Sequence, residues 1–298
     1  MLKRARSPRM LVLLLLLCGA PTQWGCSAPA ALTRGEIEAD AGIREASRAV
    51  GFVMRDEAGA REGRGEGLGE EAEPIEPEIK GSSAVRLAPG VLVTAAHATP
   101  SALLYRGAED APVLIDGLAT RVRLLASGID DAPESDRRRF AAGERYIPAA
   151  DDWALLARSG EGGAAGPLML ARARAGEAAW VIGFPSAYFE DGWSRGLRWP
   201  DDGPIDLQWR PPPAVVLPGT VRLTADGKLR VRIASPAGTR ANGFSGGGIF
   251  VRRGQALALV GIASKSSKVA ARLDGAPING EALEAAIDRA RALGALVE

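Results

Sequence analysis

The chain has 298 residues with a formal net charge of +1, 46% hydrophobic and 24% charged residues, the profile of a globular protein with a substantial core. That length suits one domain of roughly 200 to 250 residues plus appendages. So even a charge balance gives no electrostatic case for nucleic acid or an anionic membrane surface as partner.

Lys3, Arg4, Arg6 and Arg9 precede the apolar run Met10 to Leu17, a charged region followed by a hydrophobic one of signal-peptide length, too short to span a bilayer. Residues 1–30 are therefore read as an export signal. Cleavage near Ala28-Pro29-Ala30 would release a soluble protein. Cleavage before Cys26 would leave a cysteine for lipid attachment, in the manner of a bacterial lipoprotein; Gly25 and Ser27 suit that reading, whereas Gln23 and Trp24 do not. Both readings place the protein in the bacterial periplasm or envelope or outside the cell, with a membrane as partner only through a lipid anchor at Cys26. Cys18 and Cys26 are the two cysteines of the chain, so the mature domain has no pair to form an internal disulfide.

Residues 31–40 read as a spacer or short helix, and the domain is expected to run from about 41 to 298. Ala49 to Met54 is the first strand. Residues 55–79, rich in Gly, Glu, Arg and Pro, cannot bury enough apolar surface to offset their ordering entropy and read as a disordered surface loop. Gly63, Gly65, Gly67 and Gly69 within it make no phosphate loop, because Glu62, Glu66, Glu70 and Glu71 would repel phosphate and no strand-to-helix context surrounds them.

From Ala84 onward short strands alternate with turns. One hairpin turns about Asp116-Gly117, another about Asp226-Gly227, where Val221 and Leu223 face Leu229, Val231 and Ile233, and a third about Arg253-Gly254; Asp-Gly between alternating apolar residues is a strong hairpin signal. Ala178 to Pro185 reads as a buried strand ending in a turn. Strands at this spacing point to a barrel or sandwich. At the C-terminus Leu283, Ala286, Ile287, Ala290 and Leu293 recur at helical spacing after a cap at Asn279, with Gly294 near the end.

Three motifs carry chemistry. Asn242 to Gly248 sets Ser245 among glycines directly before the apolar run Ile249 to Val251; the chain's one histidine, His97, closes Val91-Leu92-Val93-Thr94-Ala95-Ala96-His97; and Asp152 opens Asp152-Trp153-Ala154-Leu155-Leu156. A serine hydroxyl needs a base, and the base needs a group to orient it. In the order His, Asp, Ser these motifs resemble those of the trypsin-like (chymotrypsin-fold) serine proteases of the bacterial exported type.

The resemblance implies an all-β fold of two six-stranded antiparallel barrels with a C-terminal helix, a polypeptide substrate, and no cofactor or metal. It implies a triad of His97, Asp152 and Ser245, with Asp151 as the weaker alternative for the acid, and an oxyanion hole from the amides of Gly243 and Ser245. Ser264 and Ser266 would lie along the substrate backbone and Thr239 near the pocket floor. No acid stands at that floor, so a preference for Arg or Lys is not implied; Arg240 and Lys265 would favour an acidic side chain if they are not simply solvated charges. Phe244 stands where activatable members carry an Asp, which implies a site formed without an activating salt bridge. Gly248 replaces a common Pro and is expected to add flexibility after the nucleophile. The competing reading is a catalytically silent protein of the same fold that binds peptides or a partner protein.

Overall fold

In the computed structural model of the chain, residues 31–56, 79–158, 168–185, 213–233, 243–267, 271–278 and 280–292 are described. Two short helices, α1 (Arg34–Ala39) and α2 (Ala41–Ala49), lead into β1 (Val50–Asp56), β2 (Ile79–Ala88) and β3 (Val91–Thr94). A 3-10 turn (Ala96–Ala98) and α3 (Ser101–Tyr105) follow, then β4 (Ala111–Ile115), β5 (Leu118–Ser127), α4 (Glu134–Ala141) and β6 (Ala154–Arg158). The second half holds β7 (Ala178–Gly183), β8 (Val215–Leu223), β9 (Leu229–Ile233), β10 (Gly248–Arg253), β11 (Ala256–Ser267), β12 (Arg272–Pro277) and α5 (Glu281–Ala292).

The strands close into two antiparallel barrels of six. Around the first the order is β1-β2-β3-β6-β5-β4, and around the second β7-β8-β9-β12-β11-β10. The second barrel thus repeats the strand order of the first, a duplication with no counterpart in sequence self-similarity. Closure removes the open edges at which an antiparallel sheet would pair with another chain.

Alternation places the cores. In β9 Leu229, Val231 and Ile233 are buried while Arg230 and Arg232 face outward, as the two-residue period of a strand dictates. The first barrel is filled by Val53, Leu92, Ile115, Val122 and Leu156, and the second by Val181, Leu217, Val231, Phe244 and Ile249. A third cluster lies between them and includes Phe52, Val93, Leu155, Ile182, Phe250 and Leu259. Within it Phe52 and Phe184 meet edge to face at 5.2 Å. Strand β11 is buried without a break from Leu257 to Ser264, because it is covered by its own barrel on one side and by this cluster on the other.

Turn chemistry explains the hairpins. Asp116 (φ 53°) and Gly117 (φ 84°) both take positive φ, the pattern of the two-residue turn that matches strand twist. Asp116 also accepts from the Phe52 amide at 2.8 Å and pairs with Arg86. The turns at Gly227 (φ 75°) and Gly254 (φ 62°) likewise fall where the sequence places them.

Several boundaries differ from the sequence reading. Within residues 31–40, read as a spacer or short helix, α1 forms and is packed: Thr33 and Glu36 form a reciprocal capping box, Leu32 donates its amide to the Val216 carbonyl at 3.0 Å, and Ile37 packs on the inter-barrel cluster. Asp40 caps α2 through the Ile43 amide and pairs with Arg252. The packed structure therefore starts before residue 41. Helix α2 touches β1, β2, β7 and β11, and so clamps both barrels. Strand β1 extends through Asp56, which pairs with Ile79; the ends of the expected 55–79 loop are strand, and its remainder lies outside the described residues. So do the export signal, Asn279, Leu293 and Gly294. The C-terminal helix buries Leu283, Ala286, Ile287 and Ala290 in the inter-barrel cluster and touches β5 of the first barrel. Among the described residues no helix is long and apolar enough to cross a membrane.

The clamp can be tested by urea denaturation. Ile43→Ala, on the buried face of α2, should cost about 2 to 5 kcal/mol, while Glu45→Ala on its exposed face should change stability by less than about 0.5 kcal/mol.

Candidate active site

Three buried strands deliver three side chains to the seam between the barrels. Strand β3 is buried along its whole length, and the fully buried Ala95 and Ala96 let the chain turn tightly there, so that the 3-10 turn lifts His97 out of the barrel. Asp152 stands immediately before β6 and is 0% exposed. Its approach is set by Gly128, whose amide donates to the Trp153 carbonyl at 3.0 Å and where a side chain would collide with the Asp151 carbonyl.

Ser245 comes from the turn before β10. The Gly247 amide donates to the Phe244 carbonyl at 2.7 Å, and the Gly246 amide to the Ala263 carbonyl at 2.8 Å. Gly246 has φ 83° and room for no Cβ against the Ser83 carbonyl and Thr94 hydroxyl, so only glycine serves there. Gly248 has a different reason from the expected flexibility: it is paired within β10, and a side chain at this position would overlap the Phe250 ring.

Phe244 is fully buried in the second barrel's core, packed so closely on Gly183 that a Cβ there would lie 2.8 Å from its ring. The residue between Gly243 and Ser245 is thus anchored by apolar burial. Gly243 takes φ 89°. Among the described residues neither the Gly243 nor the Ser245 amide donates to a protein acceptor.

The side chains form one hydrogen-bonded line. His97 Nδ1 lies 2.7 Å from Asp152 Oδ2 and His97 Nε2 lies 2.8 Å from Ser245 Oγ. The His97 amide donates to Asp152 Oδ1 at 3.0 Å, so ring and backbone are held by the same carboxylate. Because a carboxylate only accepts, Nδ1 carries the proton and Nε2 presents its lone pair to the serine hydroxyl. Of the two acids considered from the sequence, Asp152 reaches the imidazole; Asp151 is exposed.

Ser264 has a role the sequence reading did not assign. Its hydroxyl donates to Asp152 Oδ2, and its carbonyl lies 3.2 Å from Ser245 Oγ. The side chain is buried, turned toward the acid rather than along a substrate. Ser266 is half-buried on β11 opposite Leu273. Thr239 and Arg240 lie outside the described residues. Ser83 was also not singled out. Fully buried, it donates its amide to the Ser245 carbonyl at 2.8 Å and accepts from the Phe184 amide at 3.0 Å, while its own carbonyl accepts from Thr94 Oγ1 at 2.7 Å. A Gly-Ser-Ser run inside a strand carries no motif that would have exposed this. Among the described residues no three His, Cys, Asp or Glu side chains gather as a metal site.

Burial by itself would push the Asp152 carboxyl up, but the charge and hydrogen bonds of His97 and the bond from Ser264 outweigh it and hold it below the ordinary Asp value. A folded-state value below the unfolded one contributes stability above the unfolded pKa, about 3.9, and loses it as pH falls through the lower folded value. The stability gap between wild type and Asp152→Asn, read by urea titration, should therefore be constant above about pH 5 and narrow below about pH 4.

Sequence comparison finds no matching family model and no matching characterised protein. Among solved structures the chain is similar to the inactive form of the Rv3671c protease of M. tuberculosis, at 12% identity over 88% of this chain and 98% of that one, with a TM-score of 0.46. It is also similar to the HtrA-type protease AlgW with a decapeptide (16% identity, 85% and 66% covered, TM-score 0.45) and to Glu endopeptidase in complex with MPD (14%, 72% and 86%, 0.46). At that identity and overlap these similarities say nothing of activity, and the fold rests on the chain's own strand order. Two closed six-stranded barrels of one topology, with His97 and Asp152 on the first and Ser245 on the second meeting at their seam, give this chain the chymotrypsin-like fold of the trypsin-like serine proteases.

Proposed function

We propose that the protein is an exported serine endopeptidase that hydrolyses polypeptides through His97, Asp152 and Ser245 and an acyl-enzyme intermediate. What supports the reading is the unbroken line from the Asp152 carboxylate through both imidazole nitrogens to the Ser245 hydroxyl, with steps of 2.7 and 2.8 Å. The charged and apolar segments before residue 31 support export, and Cys26 offers a lipid anchor as the alternative to release.

Chemistry follows from that line. Ser245 Oγ bonds to the scissile carbonyl carbon while its proton passes to His97 Nε2 and the carbonyl π electrons move onto oxygen. The amides of Gly243 and Ser245, which meet no protein acceptor among the described residues, receive that oxyanion; such a donor contributes roughly 3 to 4 kcal/mol to the transition state. Asp152 stabilises the imidazolium. The imidazolium then protonates the amine as the C–N bond breaks. Water repeats the sequence on the acyl-enzyme and releases Ser245. Ser264 acts through Asp152, which it helps to keep ionised and oriented.

Covalent labelling with a fluorophosphonate tests the proposal, since it needs an activated nucleophile and not merely a peptide groove. Wild type should label, and Ser245→Ala and His97→Ala should not, with peptide turnover lower by about 10⁴-fold or more. Ser264→Ala, which removes one bond to a buried carboxylate, should lower kcat/KM by about tenfold. A folded wild type that neither labels nor cleaves would leave the silent peptide-binding protein as the better description.

A further inference from the structure

Strand β11 turns Ser264 inward to Asp152 at a shift in its register with β12 between Ala263 and Lys265, and the next residue, Lys265, reaches Ile147 and Tyr146. Lys265 is not a solvated surface charge. It is half-buried, its ammonium donates to the Ile147 carbonyl at 2.7 Å, and it lies 4.8 Å from the centre of the Tyr146 ring. That ring is 83% exposed, an outer wall rather than part of the core. Burial pushes the Lys265 pKa down, although the charges of Asp152 and Asp274 oppose the shift.

Neither of these acids neutralises it directly. The Asp152 carboxylate is bonded to His97 and Ser264, and Asp274 is bonded by Arg230 at 2.6 and 3.0 Å. Among the described residues no carboxylate forms a salt bridge with Lys265. A partly desolvated ammonium with donors to spare is an incomplete site. Its backbone is one peptide unit from the Ser264 carbonyl, which itself lies 3.2 Å from Ser245 Oγ. An extended chain advances about 3.3 to 3.6 Å per residue, so a polypeptide held at Ser245 passes Lys265 within a few residues of the bond to be cut.

We propose that Lys265, walled by Tyr146 and the Ile147 carbonyl, is a specificity-determining residue that takes the carboxylate of an Asp or Glu side chain close to the scissile bond of a bound polypeptide. The inference rests on the peptidase reading for its substrate and deepens it. A role confined to tethering the Tyr146 loop to β11 is the competing account, and it differs in one respect: it does not depend on the sign of charge in the ligand.

A proteome-derived peptide library tests this in two arms, cleavage by the purified wild-type chain and capture by Ser245→Ala, both read by mass spectrometry. Asp and Glu should exceed Asn and Gln by about five- to tenfold at a position within about four residues of the cut. Lys265→Met should bring that ratio near one, Lys265→Arg should retain it, and Lys265→Glu should turn the preference toward Lys and Arg. A wild-type ratio near one, or one that Lys265→Met and Lys265→Glu leave unchanged, overturns the inference. Acidic peptides captured by Ser245→Ala but not cleaved by wild type uphold the carboxylate site and sink the peptidase reading. Cleavage without acid preference does the reverse.

Discussion

The geometry of the candidate site depends on the seam at Ser83. This residue belongs to the first barrel, yet its amide holds the Ser245 carbonyl and its hydroxyl accepts from Phe184 of the second, while its carbonyl is held by Thr94 on the strand that leads to His97. Each bond is buried and directional, and leaving a partner unsatisfied there would cost about 1 to 3 kcal/mol. His97 on one barrel and Ser245 on the other can stay 2.8 Å apart only if the two bodies do not slide. The Phe52–Phe184 contact and the α2 clamp add apolar resistance to the same motion.

Anchoring of the nucleophile turn is apolar as well. Phe244 lies in the barrel core between Gly243, whose amide is proposed to receive the oxyanion, and Ser245. Burying a phenylalanine contributes roughly 1.5 to 3 kcal/mol and requires no newly cut terminus or added charge. The close fit of its ring on Gly183 of β7, and the room that Gly248 of β10 leaves for Phe250, show why glycine recurs around this turn. At Gly246 the constraint is a positive φ with no space for Cβ, whereas at Gly183 and Gly248 it is space for a neighbouring ring.

Charge is distributed around the site with the same economy. Asp152 is held by donors that keep it ionised despite burial, whereas Lys265, next to Ser264 on β11, meets a carbonyl and an aromatic face among the described residues. One charge is satisfied within the protein and serves the base. The other would be completed by the proposed carboxylate of a bound polypeptide.

The motifs around His97, Asp152 and Ser245 were legible in the sequence because each needs several adjacent residue types: small residues before the histidine, an apolar strand after the aspartate, glycines about the serine. Hairpins at Asp116-Gly117, Asp226-Gly227 and Arg253-Gly254 were legible for a related reason, since positive φ restricts which residues can turn there. The two six-stranded barrels were legible only through the resemblance that the three motifs carry; their shared strand order leaves no self-similarity in the chain, because closure demands only alternation of apolar residues and not any particular ones. Packing of residues 31–40 was missed for want of a continuous apolar face, its contacts being a capping box, an ion pair and three apolar residues. Ser83 and Ser264 are ordinary strand serines until tertiary structure brings them against groups more than a hundred residues away. The sequence by itself thus determined which side chains could do the chemistry. Only the tertiary structure decided which polar groups hold them in place, because a hydrogen bond between distant strands leaves no periodic trace in the chain.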